Sequence, residues 1–129
     1  MRAFLDTSTP TCKLTLISDT GEKYDYEWLA ERELAKGLHA FINEKLQLHG
    51  SSWNDISGIG VYQGPGSYTG LRIGLTVLNT LADALSVPVI GATGESWQSE
   101  AIARLESGEN DQIVLPEYGG EANITAPRK

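Results

Sequence analysis

The segment from residue 68 to 85 has helical length and composition, yet Arg72 and Asp83 are its only charged side chains. Apolar side chains surround its axis: Leu71, Ile73, Leu75, Val77, Leu78, Leu81, Ala82, Ala84 and Leu85. A helix that is apolar on several sides must be covered on more than one flank. The segment therefore predicts a layered fold in which a sheet and a second helix cover this helix, and any remaining apolar patch marks a protein interface.

The spacing of apolar residues predicts the other elements. The predicted strands cover residues 3–5, 12–16, 24–28, 56–62 and 89–92, and the predicted helices cover residues 31–48, 68–85 and 95–106. A hairpin turn is expected at residues 19–22, where Gly21 adopts positive φ at little cost. Ser67 is placed to cap the second helix, while Gly50 and Gly108 follow the ends of the first and third.

The order of these elements is three strands, helix, strand, helix, strand and a third helix. This order predicts an α/β fold with a mixed five-stranded sheet, in which an antiparallel meander is extended by parallel crossovers. It is the ribonuclease-H-like topology. We expect a single domain at residues 1–108, followed by a partly extended C-terminal tail at residues 109–129.

Composition argues against several classes of function. Ten basic and seventeen acidic side chains give a net charge of −7, which repels a phosphate backbone, so unaided tRNA binding is not expected. A single cysteine cannot form an internal disulfide, and no segment has the pattern of an export signal or a membrane span. These features predict a cytoplasmic protein.

Four glycines, Gly64, Gly66, Gly70 and Gly74, lie across the junction between the fourth strand and the second helix. With Pro65 and Ser67, the first two could form a phosphate loop, because a helix start presents unpaired N–H groups to an anion. The spacing, however, fits neither the P-loop nor the dinucleotide fingerprint. It favours packing, with a tight turn at residues 64–66 and close approach of another backbone at Gly70 and Gly74.

Asp6 ends the first predicted strand, where ribonuclease-H-like nucleases hold metal ions and actin-like ATPases place an acid of a phosphate loop. A nuclease needs further carboxylates that converge on two metal ions, and the strand at residues 56–62 offers none. We interpret Asp6 as a turn residue that binds the backbone of residues 7–9, or as a capping acid.

Other candidate reactive groups also have structural interpretations. His39 and His49 are separated by about 15 Å along one predicted helix, too far to share a metal ion within it. Cys12 lies among the apolar positions of the second strand and is interpreted as a core residue. Ser67 and Thr69 have no histidine or acid placed in sequence to activate them. The sequence thus predicts no catalytic residue, no metal site and no cofactor.

Arg72 is the exception on an otherwise apolar helix. A guanidinium in that position suits a bidentate contact across an interface or to a nucleotide phosphate. An ion pair within the chain, with Asp6 or Asp83, is the alternative.

The central segment also resembles a known family signature. Its residues are Gly64, Pro65, Gly66, Ser67, Tyr68, Thr69, Gly70, Leu71, Arg72, Ile73 and Gly74. This run is similar to the signature of the TsaB (YeaZ) family, as are residues 6–9 after the first strand and Glu95-Ser96 after residues 91–93. The resemblance covers roughly residues 1–105 in register.

The resemblance implies the actin-like ATPase fold and a non-catalytic role. Family members pair with the TsaD transferase, through the two helices of the first lobe, to make threonylcarbamoyladenosine in tRNAs. They usually carry a second lobe, for which a 129-residue chain has no room after the first domain, so we expect that lobe to be missing here.

The resemblance therefore predicts a heterodimer with a TsaD-like transferase through helices one and two. The predicted contact residues are Leu34, Leu38, Phe41, Gly70, Leu71, Arg72, Gly74, Leu75 and Leu78. A TsaE-like ATPase is a further candidate partner, and tRNA is reached only indirectly. Self-pairing of the isolated chain through the same helices is a third possibility. The alternative is a minimal nucleotide- or metal-dependent hydrolase that uses Asp6 and residues 64–74.

Overall fold

The computed structural model of the chain describes residues 1–117, so part of the predicted tail at residues 109–129 lies outside the described residues. Five strands form one sheet: β1 (Arg2–Asp6), β2 (Thr11–Ile17), β3 (Lys23–Leu29), β4 (Gly58–Tyr62) and β5 (Val89–Ala92). Their spatial order is β3-β2-β1-β4-β5. The β1–β2 and β2–β3 pairs are antiparallel, whereas β4 runs parallel to both β1 and β5. The predicted mixed sheet and α/β class are confirmed.

Three α-helices accompany the sheet: α1 (Leu34–Leu48), α2 (Tyr68–Leu85) and α3 (Trp97–Glu106). The predicted start of α1 at residue 31 is wrong, because Glu31–Glu33 forms a 3₁₀ turn. Glu31 has a φ of 47°, and its N–H donates to the carbonyl of Pro10 at 3.1 Å. This contact ties the chain to the β1–β2 loop before the α-helix begins.

Residues that precede β4 and α3 also differ from the prediction. The segment Trp53–Asp55 is a 3₁₀ turn, closed by the Asp55 carboxylate, which accepts from the N–H of Ser52 at 2.8 Å. β4 therefore begins at residue 58 and not at residue 56. α3 likewise begins two residues later than expected, at Trp97. These short corrections do not alter the order of the elements.

The sheet carries helices on both faces. α1 and α2 cover one face and form the larger core, which includes Leu5, Leu14 and Ile59 from the strands. α3 covers the other face, where Phe4 and Ile90 pack against Ala101 and Leu105. The alternation of strand residues between these two cores explains why the strands near the centre of the sheet are almost continuously apolar.

The segment of residues 109–117, here called the C-terminal strap, closes the outer edge of β5. The N–H of Asp111 donates to the carbonyl of Val89 at 2.9 Å, and the N–H of Val89 donates to Oδ1 of Asn110 at 3.1 Å. The N–H of Gly91 donates to Oδ2 of Asp111 at 2.9 Å. The strap therefore satisfies backbone groups that an edge strand would otherwise expose.

Among residues 1–117, the helices are either too short or too polar to cross a lipid bilayer.

Candidate functional site

The start of α2 is fixed by the residue that precedes it. Ser67 caps the helix, since its Oγ accepts from the N–H of Gly70 at 3.2 Å. The N–H of Ser67 in turn donates to the carbonyl of Ser8 at 2.8 Å. The predicted cap is confirmed, and it is anchored to the loop between β1 and β2.

That loop is held by short polar side chains. Oδ1 of Asp6 accepts from the N–H of Ser8 at 2.8 Å and from Oγ of Ser8 at 2.6 Å. Oγ1 of Thr7 donates to the carbonyl of Gly70 at 2.7 Å, and Thr7 is buried. Asp6 is therefore a turn residue, as predicted, and this loop is bound directly to the first turn of α2.

Three glycines allow the loop and the helix to approach so closely. A Cβ atom at Gly66 would meet the side chain of Ser8, one at Gly70 would meet the carbonyl oxygen of Thr7, and one at Gly74 would meet the side chain of Thr7. The close-packing interpretation is confirmed at Gly70, where the backbone that comes close belongs to Thr7 of this chain. At Gly74 the close neighbour is the side chain of Thr7 and not a backbone.

The substitution Gly70→Ala should therefore destabilise the protein. The new methyl group would meet a backbone carbonyl, which cannot rotate away, and this clash should outweigh the gain in helix propensity. We expect a loss of about 2 kcal/mol in the free energy of unfolding, measured by urea denaturation. Thr76→Ala, at an exposed position of the same helix, is the control. Equal stability of the two variants would contradict this role for Gly70.

The structure revises the predicted interface residues. Gly74 and six apolar side chains are buried within the chain: Leu34, Leu38, Phe41, Leu71, Leu75 and Leu78. They face the sheet because each helix turns its most continuous apolar stripe inward. These side chains offer a partner little exposed surface, and they hold the two helices against the sheet.

A groove between α1 and α2 remains open on the outer face. It has a volume of about 470 Å³, and its lining residues are Ala35, Thr69, Arg72, Ile73, Thr76 and Val77. A second hollow of about 260 Å³ shares Thr69 and Ile73 with it and continues toward Thr9 and Pro10. We call the first of these the helix groove.

Of the residues that line the helix groove, only Arg72 was predicted from the sequence as a contact residue. The signal that could have found the others is their helical register. Buried positions of α2 fall at residues 71, 74, 75, 78 and 82, whereas positions 69, 72, 73, 76 and 77 form the neighbouring stripe. Ile73 and Val77 are only partly buried.

Arg72 lies on this groove beside Tyr68. Its guanidinium carbon is 5.6 Å from the centroid of the Tyr68 ring, and its Nη1 is 3.4 Å from the Tyr68 hydroxyl oxygen. Within residues 1–117, neither Asp6 nor Asp83 forms an ion pair with Arg72. The alternative interpretation of Arg72, an ion pair within the chain, is therefore not found among the described residues.

The remaining candidate groups lie elsewhere. Cys12 is buried in the sheet, and burial together with the nearby Asp6 carboxylate raises the pKa of its thiol to about 12. His39 stacks on Trp53 with ring centroids 4.5 Å apart, and Nε2 of His49 lies 2.5 Å from the hydroxyl oxygen of Tyr26. Over the part of the chain that the structure describes, no group of three or more His, Cys, Asp or Glu side chains is arranged to hold a metal ion.

Comparison with known proteins places this fold in a family. Residues 28–116 match the sequence model of the family described as TsaD, tRNA N6-adenosine threonylcarbamoyltransferase. The tRNA threonylcarbamoyladenosine biosynthesis protein TsaB of Haemophilus influenzae is 34% identical over 106 residues, which are 82% of this chain and 44% of that protein. The TsaB protein of Escherichia coli is 33% identical over 89 residues, 69% of this chain and 38% of that protein.

A solved structure shows the same architecture. It is an uncharacterised protein from Pseudomonas aeruginosa with similarity to the peptidase YEAZ, with a TM-score of 0.69 and 29% sequence identity. The alignment covers 83% of this chain and 49% of that one. This chain therefore spans about half the length of the relatives it matches, or less.

The fold and the glycine-rich start of α2 define a lobe of the actin-like ATPase class. The chain belongs to the TsaD family and, within it, to the TsaB (YeaZ) group. The resemblance found in the sequence is confirmed.

Proposed function

We propose that this chain is a non-catalytic partner subunit that pairs with a TsaD-type transferase in the synthesis of threonylcarbamoyladenosine on tRNA. The pairing surface is the outer face of α1 and α2. The observation that carries this proposal is the helix groove, because the apolar side chains of Ile73 and Val77 are only partly buried there, beside the small residue Ala35. Accessible apolar surface that is rimmed by polar groups is typical of protein interfaces.

The small side chains around the groove favour a helix as the occupant. Ala35, Thr69 and Thr76 leave room for a second helix to lie close to α1 and α2. A partner built on the same family fold has its own pair of first-lobe helices, so the expected interface is a bundle of four helices. This arrangement uses Arg72, one of the predicted contact residues, and the exposed surface next to those predicted contact residues that are buried.

A non-catalytic role is supported by how the candidate reactive groups are used. The Asp6 carboxylate accepts two hydrogen bonds from Ser8, and the raised pKa of Cys12 keeps that thiol protonated at neutral pH. The net charge of −7 also favours a chain that reaches tRNA through its partner. We propose that the transferase carries the chemistry, and that pairing holds it in an active arrangement.

Two measurements test this function together. The 129-residue chain and the transferase from the same organism should elute as one complex in size-exclusion chromatography with light scattering, at micromolar concentrations. Reconstituted modification of tRNA, supplied with threonylcarbamoyl adenylate, should proceed faster with this chain than without it. Independent elution, together with equal product in both reactions, would contradict the proposal.

A further inference from the structure

We infer that Arg72 is the residue of the helix groove that determines specificity, and that it binds a carboxylate presented by a helix of the partner subunit. This inference rests on the proposed function and adds the chemistry of the contact. Arg72 is exposed and lines the groove, so its charge would be covered when a partner helix occupies the groove. A covered guanidinium requires an anionic partner, since burial of an unpaired charge is costly.

The guanidinium is already held in place. The ring of Tyr68 lies 5.6 Å from its central carbon, at the distance of a cation–π contact, and Tyr68 is 55% exposed. This contact restrains the guanidinium beside the ring, and the N–H donors that do not point at the Tyr68 hydroxyl can bind an anion. Because the side chain is restrained before binding, less conformational entropy is lost when the partner arrives.

Within the chain, Arg72 has few competing anions. Of the described residues, only Tyr68 accepts a hydrogen bond from the Arg72 side chain, at 3.4 Å. Asp83 lies about three turns further along α2, beyond the reach of a direct contact. Glu31 and Arg32 line the second hollow, at the end of the groove where Thr9 and Pro10 lie. An incoming carboxylate would therefore meet Arg72 without displacing a strong ion pair.

The anion is a protein carboxylate and not a tRNA phosphate for two reasons. First, Arg72 lines the same groove as the apolar residues Ile73 and Val77, and we propose that a helix occupies this groove. Ile73 and Val77 would then contact apolar side chains of that helix beside the ion pair. Second, phosphate backbones are bound by several cations together, whereas this chain carries a net charge of −7. The same net charge disfavours self-pairing, because two copies would repel one another.

The test compares three variants of the 129-residue chain for affinity to the transferase, by isothermal titration calorimetry at low and high salt. Arg72→Gln removes the charge and the paired donors, and Arg72→Lys keeps the charge only. Lys13→Gln removes the same charge from an exposed position on the opposite face of the sheet. We expect Arg72→Gln to weaken binding about 10- to 100-fold and to reduce its dependence on salt. Arg72→Lys should fall between that variant and the unmodified chain, and Lys13→Gln should remain within about twofold.

A charge exchange identifies the partner group. Arg72→Glu should bind the unmodified transferase poorly, and one acidic residue on a first-lobe helix of the transferase, when changed to arginine, should restore binding. Equal affinity of Arg72→Gln and the unmodified chain would overturn the inference while the proposed function stands. The inference would also be overturned if Arg72→Gln paired normally with the transferase but the resulting complex bound tRNA more weakly. That result would identify a contact between Arg72 and a tRNA phosphate. If the unmodified chain does not bind, the proposed function itself fails.

Discussion

The substitution Ala35→Arg is expected to abolish pairing with the transferase and to leave the fold intact. Ala35 is exposed and forms part of the wall of the helix groove. A long cationic side chain there would fill the space that a partner helix needs, and it would place a second positive charge close to Arg72. We expect binding to weaken at least about 100-fold, which corresponds to about 2.7 kcal/mol.

The matched control is Ala103→Arg, because Ala103 is an exposed alanine on α3, across the sheet from the groove. Both variants receive the same side chain on a helix, so any general effect of the added charge appears in each. Calorimetric titration with the transferase measures the affinity, and circular dichroism confirms that both variants are folded. Normal affinity of Ala35→Arg, or equal losses in the two variants, would exclude the helix groove as the pairing surface.

The substitution Leu38→Ala should have the opposite profile, with a large loss of stability and little change in pairing. Leu38 has no exposed surface and packs between α1 and the sheet. Its truncation removes apolar contacts and leaves a cavity that the neighbouring elements can only partly fill. We expect the free energy of unfolding to fall by about 3 kcal/mol, measured by urea denaturation.

Leu48→Ala is the control for this variant. Leu48 belongs to the same helix but is 64% exposed, so its truncation should change the free energy of unfolding by less than about 0.5 kcal/mol. At temperatures where Leu38→Ala remains folded, its affinity for the transferase should stay close to that of the unmodified chain. A stable but non-binding Leu38→Ala protein would show instead that this leucine is a contact residue.

The elements of the fold were predictable because they depend on local patterns. The strict alternation of residues from Tyr24 to Trp28 predicted the strand β3. The turn predicted at residues 19–22 contains Gly21, which has a φ of 91°. Ser67 and Gly50 marked helix ends through short-range hydrogen bonds. The order of the elements then predicted a mixed sheet, in which an antiparallel meander is extended by parallel crossovers.

The candidate site was predicted less completely. α2 is apolar over much of its circumference, so the sequence could not determine which stripe faces the sheet, and residues such as Leu71 and Leu78 were expected at the surface. The choice depends on contacts with residues distant in sequence, chiefly Thr7, which fits only against Gly70 and Gly74. Conversely, Arg72 was singled out because a lone charge on an apolar helix is conspicuous in sequence.

The position of the C-terminal strap also depends on contacts with residues that are distant in sequence. Asn79 of α2 exchanges two hydrogen bonds with the backbone of Val114, each 2.9 Å long, and Gln63 binds the carbonyl of Leu115 at 2.9 Å. The sequence of residues 109–117 contains no pattern from which these hydrogen-bond partners could be predicted. The strap rests against Gly64 and Gly91, where added Cβ atoms would meet Glu117 and Val114.

The strap limits how copies of this protein could assemble by strand addition. With β5 covered, β3 is the sheet edge that could accept a strand from another molecule. Two copies joined through β3 would have no further open edge of this kind among the described residues, so growth by strand addition there would stop at a pair. An antiparallel pair centred on Tyr26 would also bring Asp25 opposite Glu27 of the second copy, and this like-charge contact opposes even that first step.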